Sequence, residues 1–306
     1  MGIYLGISLS LLASLSWGVN SIVMKKASAT EEPGRALVLR SVSAAPALLV
    51  LSLFFYDWGP IARMTQNDVF WIMVGSATTV AIGDFSFIAS LKKIPVTISL
   101  PLASSYPLFG AIFILALGLQ PLTSLLVIWG TILIVLGVGL IAQQSPNKET
   151  DDTSIRMRWN WGGILLALLA AIFWGLSIMQ LQILLKSPSV NGITLTFWRT
   201  LIIAMLGYGI HKYRIKSGNF EYVQTREERD RATIYFLLSG ILGWVIGAAA
   251  FMYAIQMIGA LIATPLSATN TLIATLLGIM VLHEKVTTFQ LIGITMVAVG
   301  SVLVMM

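Results

Sequence analysis

The sequence predicts an all-α polytopic membrane protein with ten transmembrane helices, arranged as two inverted five-helix repeats. Three observations lead to this prediction: a composition of 57% hydrophobic and 10% charged residues, ten apolar stretches of membrane-spanning length, and an internal repeat. A soluble domain carries about 25% charged residues. The composition of this 306-residue chain is therefore typical of a protein in a bilayer.

The apolar stretches have the lengths that membrane helices need. A helix requires roughly 17 to 25 residues to cross about 30 Å of hydrocarbon, and most charged residues fall between such stretches. The predicted spans are 3–24, 36–56, 69–91, 96–117, 124–142, 161–184, 192–210, 232–256, 260–282 and 288–306.

Lys and Arg residues are concentrated in alternate loops. The five odd-numbered loops carry 15 of the 19 basic residues, whereas the four even-numbered loops carry two. Because cytoplasmic loops are enriched in Lys and Arg, this asymmetry predicts a cell inner-membrane protein with both termini outside. Topology and anionic membrane lipid explain the net charge of +6, so no nucleic-acid partner is predicted.

Few residues offer catalytic or metal chemistry. The chain has no cysteine, which excludes disulfides, thiolate metal sites and a cysteine nucleophile, and it has two histidines. His283 and Glu284 do not form HExxH because position 287 is Thr, and GxSxG and DDxxD are absent. We therefore predict no catalytic residue, no metal and no cofactor. A membrane-embedded enzyme acting on a lipid-linked substrate stays as the alternative.

The two halves share short matching segments in the same order. "ASLSWGVN" at 13–20 matches "AAIFWGLS" at 170–177, and "AIGDFSFIASL" matches "VIGAAAFMYAI". Further matches are Arg40 with Arg199, Pro101 with Pro265, and Gly130 and Gly137 with Gly293 and Gly300. Because each copy holds an odd number of spans, the second copy enters the membrane in the opposite direction, as in many secondary transporters.

The repeat divides the chain into three predicted parts. These are a first five-helix repeat at 1–142, a polar cytoplasmic linker at 143–160 and a second five-helix repeat at 161–306. The linker "QQSPNKETDDTSIRMRWN" is rich in charged and turn-forming residues, which favours a solvated connection.

The duplicated motifs resemble the drug/metabolite transporter superfamily, specifically its ten-helix members with two EamA-type repeats. The resemblance covers essentially the whole chain and includes "PLASSYPLFGAIFILALGLQPLT" against "PLSATNTLIATLLGIMVLHEKVT". It departs from the family pattern at Gln120, where the second copy has the acidic Glu284. The resemblance implies a secondary transporter that moves an amino acid, nucleoside, amine or drug-like solute by alternating access, commonly by efflux. A proton gradient and the substrate gradient stay open as driving forces, and no oligomeric state is predicted.

The first helix of each repeat carries a matching pair of candidate solute-binding residues. Trp17 and Asn20 are three apart, as are Trp174 and Ser177, so each pair shares a helix face. An indole beside a polar side chain suits a partly apolar solute. Packing of these helices through small residues is an equally open alternative.

Prolines predict bends in spans 4 and 9. Pro101, Pro107 and Pro265 remove backbone hydrogen bonds, which membrane helices tolerate beside a cavity or a compensating neighbour. We expect these prolines to contribute to gating. Tyr106 and Asn270 stand close to the bends and are candidates for solute binding, with interhelical hydrogen bonding as the alternative.

Three ionisable residues lie inside predicted spans. Asp84 is surrounded by apolar and small residues, and an isolated charge in hydrocarbon costs several kcal/mol. It is therefore paired with Arg40, a proton or cation site facing the cavity, or a neutral acid bonded to a local carbonyl. Arg199 has no acidic residue in spans 6 to 8, so a substrate carboxylate or phosphate, a carbonyl and water are its candidate partners.

Overall fold

The computed structural model contains ten helices and no strand in the residues that it describes, which confirms the all-α fold class. The described residues are 2–28, 32–54, 68–94, 99, 102–122, 124–141, 160–186, 190–218, 225–273 and 287–306. The linker up to residue 159, Pro101 and the His283–Glu284 pair lie outside them.

The helices follow the predicted order of spans. They are α1 (Gly2–Ser28), α2 (Pro33–Phe54), α3 (Asp68–Leu91), α4 (Tyr106–Ala116), α5 (Leu125–Ile141), α6 (Trp161–Leu185), α7 (Gly192–Lys216), α8 (Arg226–Ile258), α9 (Ala260–Ser267) and α10 (Thr288–Met305). Within α8, residues Ile241–Ala248 form a π-helical segment. Side-chain caps from Asn160, Asn191, Thr225 and Thr287 begin α6, α7, α8 and α10.

Seven of these helices are long and apolar enough to cross a membrane. Spans 4 and 9, in which the prolines predict bends, are each interrupted by a turn, at residues 104–105 and 268–269. The prediction that Pro107 lies in a helix interior is wrong. It occupies the first turn of α4, where the missing N–H breaks no intrahelical bond. Pro265 does lie inside its helix, one turn before the break.

The first helix of each repeat packs against the other repeat. In α1, the ring of Trp17 covers Gly247 of α8; in α6, the ring of Trp174 covers Gly83 of α3. A Cβ on either glycine would collide with the indole, so glycine is required for this close approach. The matching contacts are those expected of two copies related by a pseudo-twofold axis.

The last helices of the two repeats, α5 and α10, pack antiparallel through glycine. A Cβ on Gly130 would lie 2.6 Å from the carbonyl oxygen of Gly300, and one on Gly137 would lie 2.7 Å from that of Gly293. Small residues let membrane helices approach at backbone distance. The Gly-x6-Gly pattern in each repeat therefore forms one reciprocal interface.

The bundle has two ends, which we name by what they carry. The terminus end holds the start of α1 and the ends of α4, α6 and α8; the linker end holds the start of α6 and the end of α7. Large aromatic residues are exposed near both ends, for example Trp71 and Trp129 at one and Trp161 at the other. Such aromatic belts are typical of membrane–water interfaces. The chain is accordingly a multi-pass membrane protein.

Candidate functional site

Arg40 and Asp84 form a buried ion pair between α2 and α3. Arg40 Nη1 donates to Asp84 Oδ2, and Trp174 Nε1 donates to Asp84 Oδ1 over 3.0 Å. The Arg40 guanidinium also lies 4.5 Å from the ring centroid of Trp244, at cation–π distance. Of the three alternatives for Asp84, the structure contains the ion pair. The carboxylate therefore joins α2, α3 and the first helix of the second repeat.

Arg199 is buried like its repeat counterpart Arg40 but has different partners. Its Nη2 donates to Ser177 Oγ over 2.8 Å and to the Ser76 carbonyl over 3.2 Å, while Ser177 Oγ donates to the same carbonyl over 3.0 Å. The second repeat has Ala248 where the first has Asp84. The second arginine is therefore held by neutral acceptors rather than by a carboxylate of its own repeat.

Trp17 and Asn20 meet the π-helical segment of α8. Trp17 Nε1 donates to the Gly243 carbonyl over 2.8 Å, and its ring lies 5.2 Å from Phe251. A Cβ on Gly243 would lie 2.9 Å from Asn20 Nδ2 and 3.2 Å from Nη2 of Arg40. These polar groups therefore lie against the backbone of Gly243, which has no side chain to separate them from it. π-helical turns are often found at functional sites, and the local sequence gave no signal for this one.

Among the described residues, several buried polar atoms in this layer lack a hydrogen-bond partner. They are Asn20 Oδ1 and the Nε atoms of Arg40 and Arg199. Leaving such an atom unsatisfied costs about 1–3 kcal/mol. A bound solute or water that supplied a partner would recover part of that free energy. The unsatisfied atoms lie on both sides of the repeat interface, in α1, α2 and α7.

The structure brings Tyr106 to this layer but not the side chain of Asn270. Tyr106 OH is 3.1 Å from Ser267 Oγ, and its ring packs edge-on against Trp174 with centroids 6.0 Å apart. The side chain of Asn270 accepts a 3.4 Å bond from the adjacent Thr271, and its backbone carbonyl faces Gly18.

A cavity of about 340 Å³ opens at the terminus end. It is lined by Gln120, Gln182, Leu185, Lys186, Ile255, Gln256, Ile258 and Gly259, so none of the seven predicted solute-binding residues lines it. In the sequence, Gln120 stands out only as a departure from the family pattern, and Gln182 and Gln256 do not stand out. A carboxamide within an apolar span was the available signal.

A second cluster missed by sequence analysis closes the linker end. Glu32 is fully buried; its Oε2 lies 2.9 Å from Nδ1 of His211, and its Oε1 lies 3.3 Å from Nε of Arg214. The Arg35 backbone N–H also donates to this carboxylate over 2.7 Å. The cluster joins the start of α2 to the end of α7. Within the residues that the structure describes, no three His, Cys, Asp or Glu side chains converge on a point that would hold a metal ion.

Comparison with known proteins adds a family to this geometry. The model of the EamA-like transporter family matches residues 4–143 and 161–306. An uncharacterized transporter of Archaeoglobus fulgidus is 25% identical over 99% of this chain and 98% of its own. Putative sugar uptake proteins of Listeria innocua and Listeria monocytogenes are 24% and 26% identical, over 98% of both chains in each case.

A solved crystal structure shares the fold, with a TM-score of 0.69 and 14% identity over 99% of this chain and 96% of the other. The family and the named relatives are transporters, which does not favour the membrane-enzyme alternative. The two family matches together cover nearly the whole chain, one on each repeat. This multi-pass membrane protein belongs to the EamA-like transporter family.

Proposed function

We propose that the chain is a secondary transporter that carries a small polar organic solute across the cell inner membrane by alternating access. The observation that carries the proposal is the buried polar layer of Arg40, Asp84 and Arg199 between helices of both repeats. Ionisable residues inside a membrane protein are costly and mark solute or proton pathways. Motion of one repeat against the other would expose this layer to each side in turn.

Arg199 is the proposed anchor for the solute. Its guanidinium is held by Ser177 and a backbone carbonyl, and its Nε atom has no hydrogen-bond partner within the described ranges. A carboxylate or another strong acceptor on the solute would take charge-assisted hydrogen bonds from it. Trp17, Asn20, Trp174 and Tyr106 would then contact the remainder of the solute, whereas the side chain of Asn270 contacts Thr271 outside this layer.

The candidate solutes are amino acids, nucleosides, amines and drug-like molecules, to which the relatives named as putative sugar uptake proteins add sugars. The family resemblance favours efflux, whereas those names refer to uptake. Transport is therefore measured in both directions.

The Arg40–Asp84 pair is the proposed coupling element. In the observed state the pair ties α2 to α3, and Trp174 ties the same carboxylate to α6. Protonation of Asp84 would remove its negative charge and loosen these contacts. Proton uptake at this carboxylate would thereby favour the conformational change.

The test is transport by purified protein in liposomes, with a mixed pool of amino acids, nucleosides, amines and neutral hexoses, with and without a pH gradient. Arg199→Gln should raise the KM for the transported solute at least tenfold, or about 1.4 kcal/mol, because it removes a charge-assisted contact. The KM of Arg199→Lys should lie between those of the parent protein and Arg199→Gln, because lysine keeps the positive charge but lacks the planar guanidinium.

The matched control is Arg226→Gln, because Arg226 is an exposed residue at the start of α8. It should transport like the parent protein. Asp84→Asn should abolish any dependence on the pH gradient while the protein stays folded. Unaltered KM in Arg199→Gln would contradict the solute anchor, and unaltered pH dependence in Asp84→Asn would contradict the coupling role.

A further inference from the structure

The cavity at the terminus end contains three carboxamides whose orientations are fixed by backbone contacts. Gln182 Oε1 accepts from the Ala260 N–H over 2.9 Å, and Gln120 Oε1 accepts from the Leu261 N–H over 3.2 Å. These bonds satisfy the first amides of α9, which have no intrahelical partner. In each of these two glutamines the oxygen is therefore bound to the backbone of α9, and the NH₂ group is the part that a ligand could contact.

The third carboxamide is fixed in the opposite sense. Gln256 Nε2 donates to the Val190 carbonyl over 2.7 Å, which leaves its Oε1 without a partner among the residues that the structure describes. In the part of the chain that the structure describes, the NH₂ groups of Gln120 and Gln182 have no further partner, although Gln182 is 95% buried, with 5% of its surface exposed. The cavity thus offers two donors and one acceptor on preset side chains.

The lining of the cavity disfavours a cation, and its ammonium group is already bound by a backbone carbonyl. Among the described residues that line the cavity there is no carboxylate and one ionic group, Lys186, which donates to the Leu119 carbonyl at the rim. A cation would find no counter-charge there. The floor is apolar, formed by Leu185, Ile255 and Ile258. Hydroxyl groups both donate and accept, so a compact polyol with C–H faces matches the amides and the floor together.

The volume and position of the cavity suit a solute on its way to the central layer. About 340 Å³ lies at the lower end of the 300–1,000 Å³ typical of small-molecule sites. Gln182 follows Ser177 by five residues on α6, which corresponds to about 7.5 Å along the helix. The cavity therefore lies about one and a half turns beyond the Arg199–Ser177 contact.

We propose that Gln120, Gln182 and Gln256 form an access site for an uncharged, monosaccharide-sized polyhydroxylated solute at the terminus end. The proposal rests on the proposed transporter function and deepens it, because it names a solute class and a second place where that solute binds. The site discriminates by hydroxyl groups, since a ligand without them would displace water from the amide groups and leave them unpaired.

The test uses the absence of native cysteine. Lys186→Cys places one thiol at the rim without changing the three amides, and its rate of reaction with a maleimide reports occupancy. Glucose and myo-inositol should slow the reaction, whereas acetate and tetramethylammonium should not. Met257→Cys is the matched control, because it lies beside Gln256 on α8 but does not line the cavity. Its reaction rate should not respond to any of these solutes.

Gln120→Glu and Gln182→Glu distinguish a binding role from a purely structural one. Glutamate keeps the oxygen that caps α9, and its charge is favourable at a helix N-terminus, but it lacks the NH₂ donor. Each variant, made in the Lys186→Cys background, should raise the half-protecting concentration of polyol about tenfold, as expected for one lost hydrogen bond in a buried site.

Unchanged protection in both variants would overturn the proposal and leave the glutamines as helix caps. Protection by acetate instead of polyol, or by no probe at all, would also overturn it. Protection by polyol without transport of any solute in liposomes would support the access site while contradicting the transporter function. Binding and transport are therefore judged separately.

Discussion

The Arg40–Asp84 pair makes a quantitative prediction about stability. Asp84→Ala removes the acceptor of Arg40 and of Trp174 and leaves a guanidinium that is 5% exposed without a carboxylate. Removing one partner of a buried ion pair costs about 3–5 kcal/mol. Asp84→Ala should therefore lower the free energy of unfolding by about that amount.

The double variant Asp84→Ala/Arg40→Ala should be more stable than the sum of the single effects allows. It removes the stranded charge, and what remains is the loss of packing on Trp244 and of the Trp174 hydrogen bond. The interaction energy should approach the upper end of the usual 0.5–3 kcal/mol, about 2 kcal/mol or more. In practice, Arg40→Ala should rescue much of the protein lost in Asp84→Ala.

The assay is reversible unfolding in mixed detergent micelles, followed by tryptophan fluorescence, for the parent, both single variants and the double variant. The exposed pair Arg226 and Asp230, with N and O atoms 4.0 Å apart, is the matched control. The double-mutant cycle for this pair should give an interaction energy of less than about 0.5 kcal/mol, because surface ion pairs are solvated. Additive single effects at Arg40 and Asp84 would refute the reasoning.

Three further predictions concern packing, the linker end and orientation. Gly130→Leu should lower the free energy of unfolding by about 1–3 kcal/mol, because α5 and α10 are in backbone contact there. Gly139→Ala should be neutral or stabilising, because a Cβ at that position would have no atom within 4 Å. Equal thermal midpoints for the two variants would contradict the interface. Glu32→Gln should shorten the half-life of the folded protein on heating, because it removes the negative charge between His211 and Arg214. A half-life equal to that of the parent would show that this charge adds no stability. Ser217→Cys should react with an impermeant maleimide only after cells are permeabilised, and labelling of intact cells would reverse the proposed orientation.

Local composition and the internal repeat were enough to predict the helices and the equivalent positions of the two copies. Apolar runs of sufficient length predicted all ten helices in order, because each charged residue placed in hydrocarbon adds its own unfavourable transfer free energy. The repeat identified the equivalent positions, since Gly130 corresponds to Gly293, Gly137 to Gly300 and Trp17 to Trp174 in the two copies. The position of Asp84 also showed that its charge needed a partner or a proton.

The tertiary structure decided which of the permitted partners meet. Asp84 contacts a residue 44 positions away and another 90 positions away, and Glu32 contacts His211 across 179 positions. No local pattern specifies such pairs, because they depend on how helices from the two repeats cross. The same holds for the three glutamines, which come from the segment after α4, from α6 and from α8, and form one cavity only after the bundle is assembled. Hydropathy describes how favourably each residue partitions into the membrane. These sites depend instead on distances between residues that are brought together by folding.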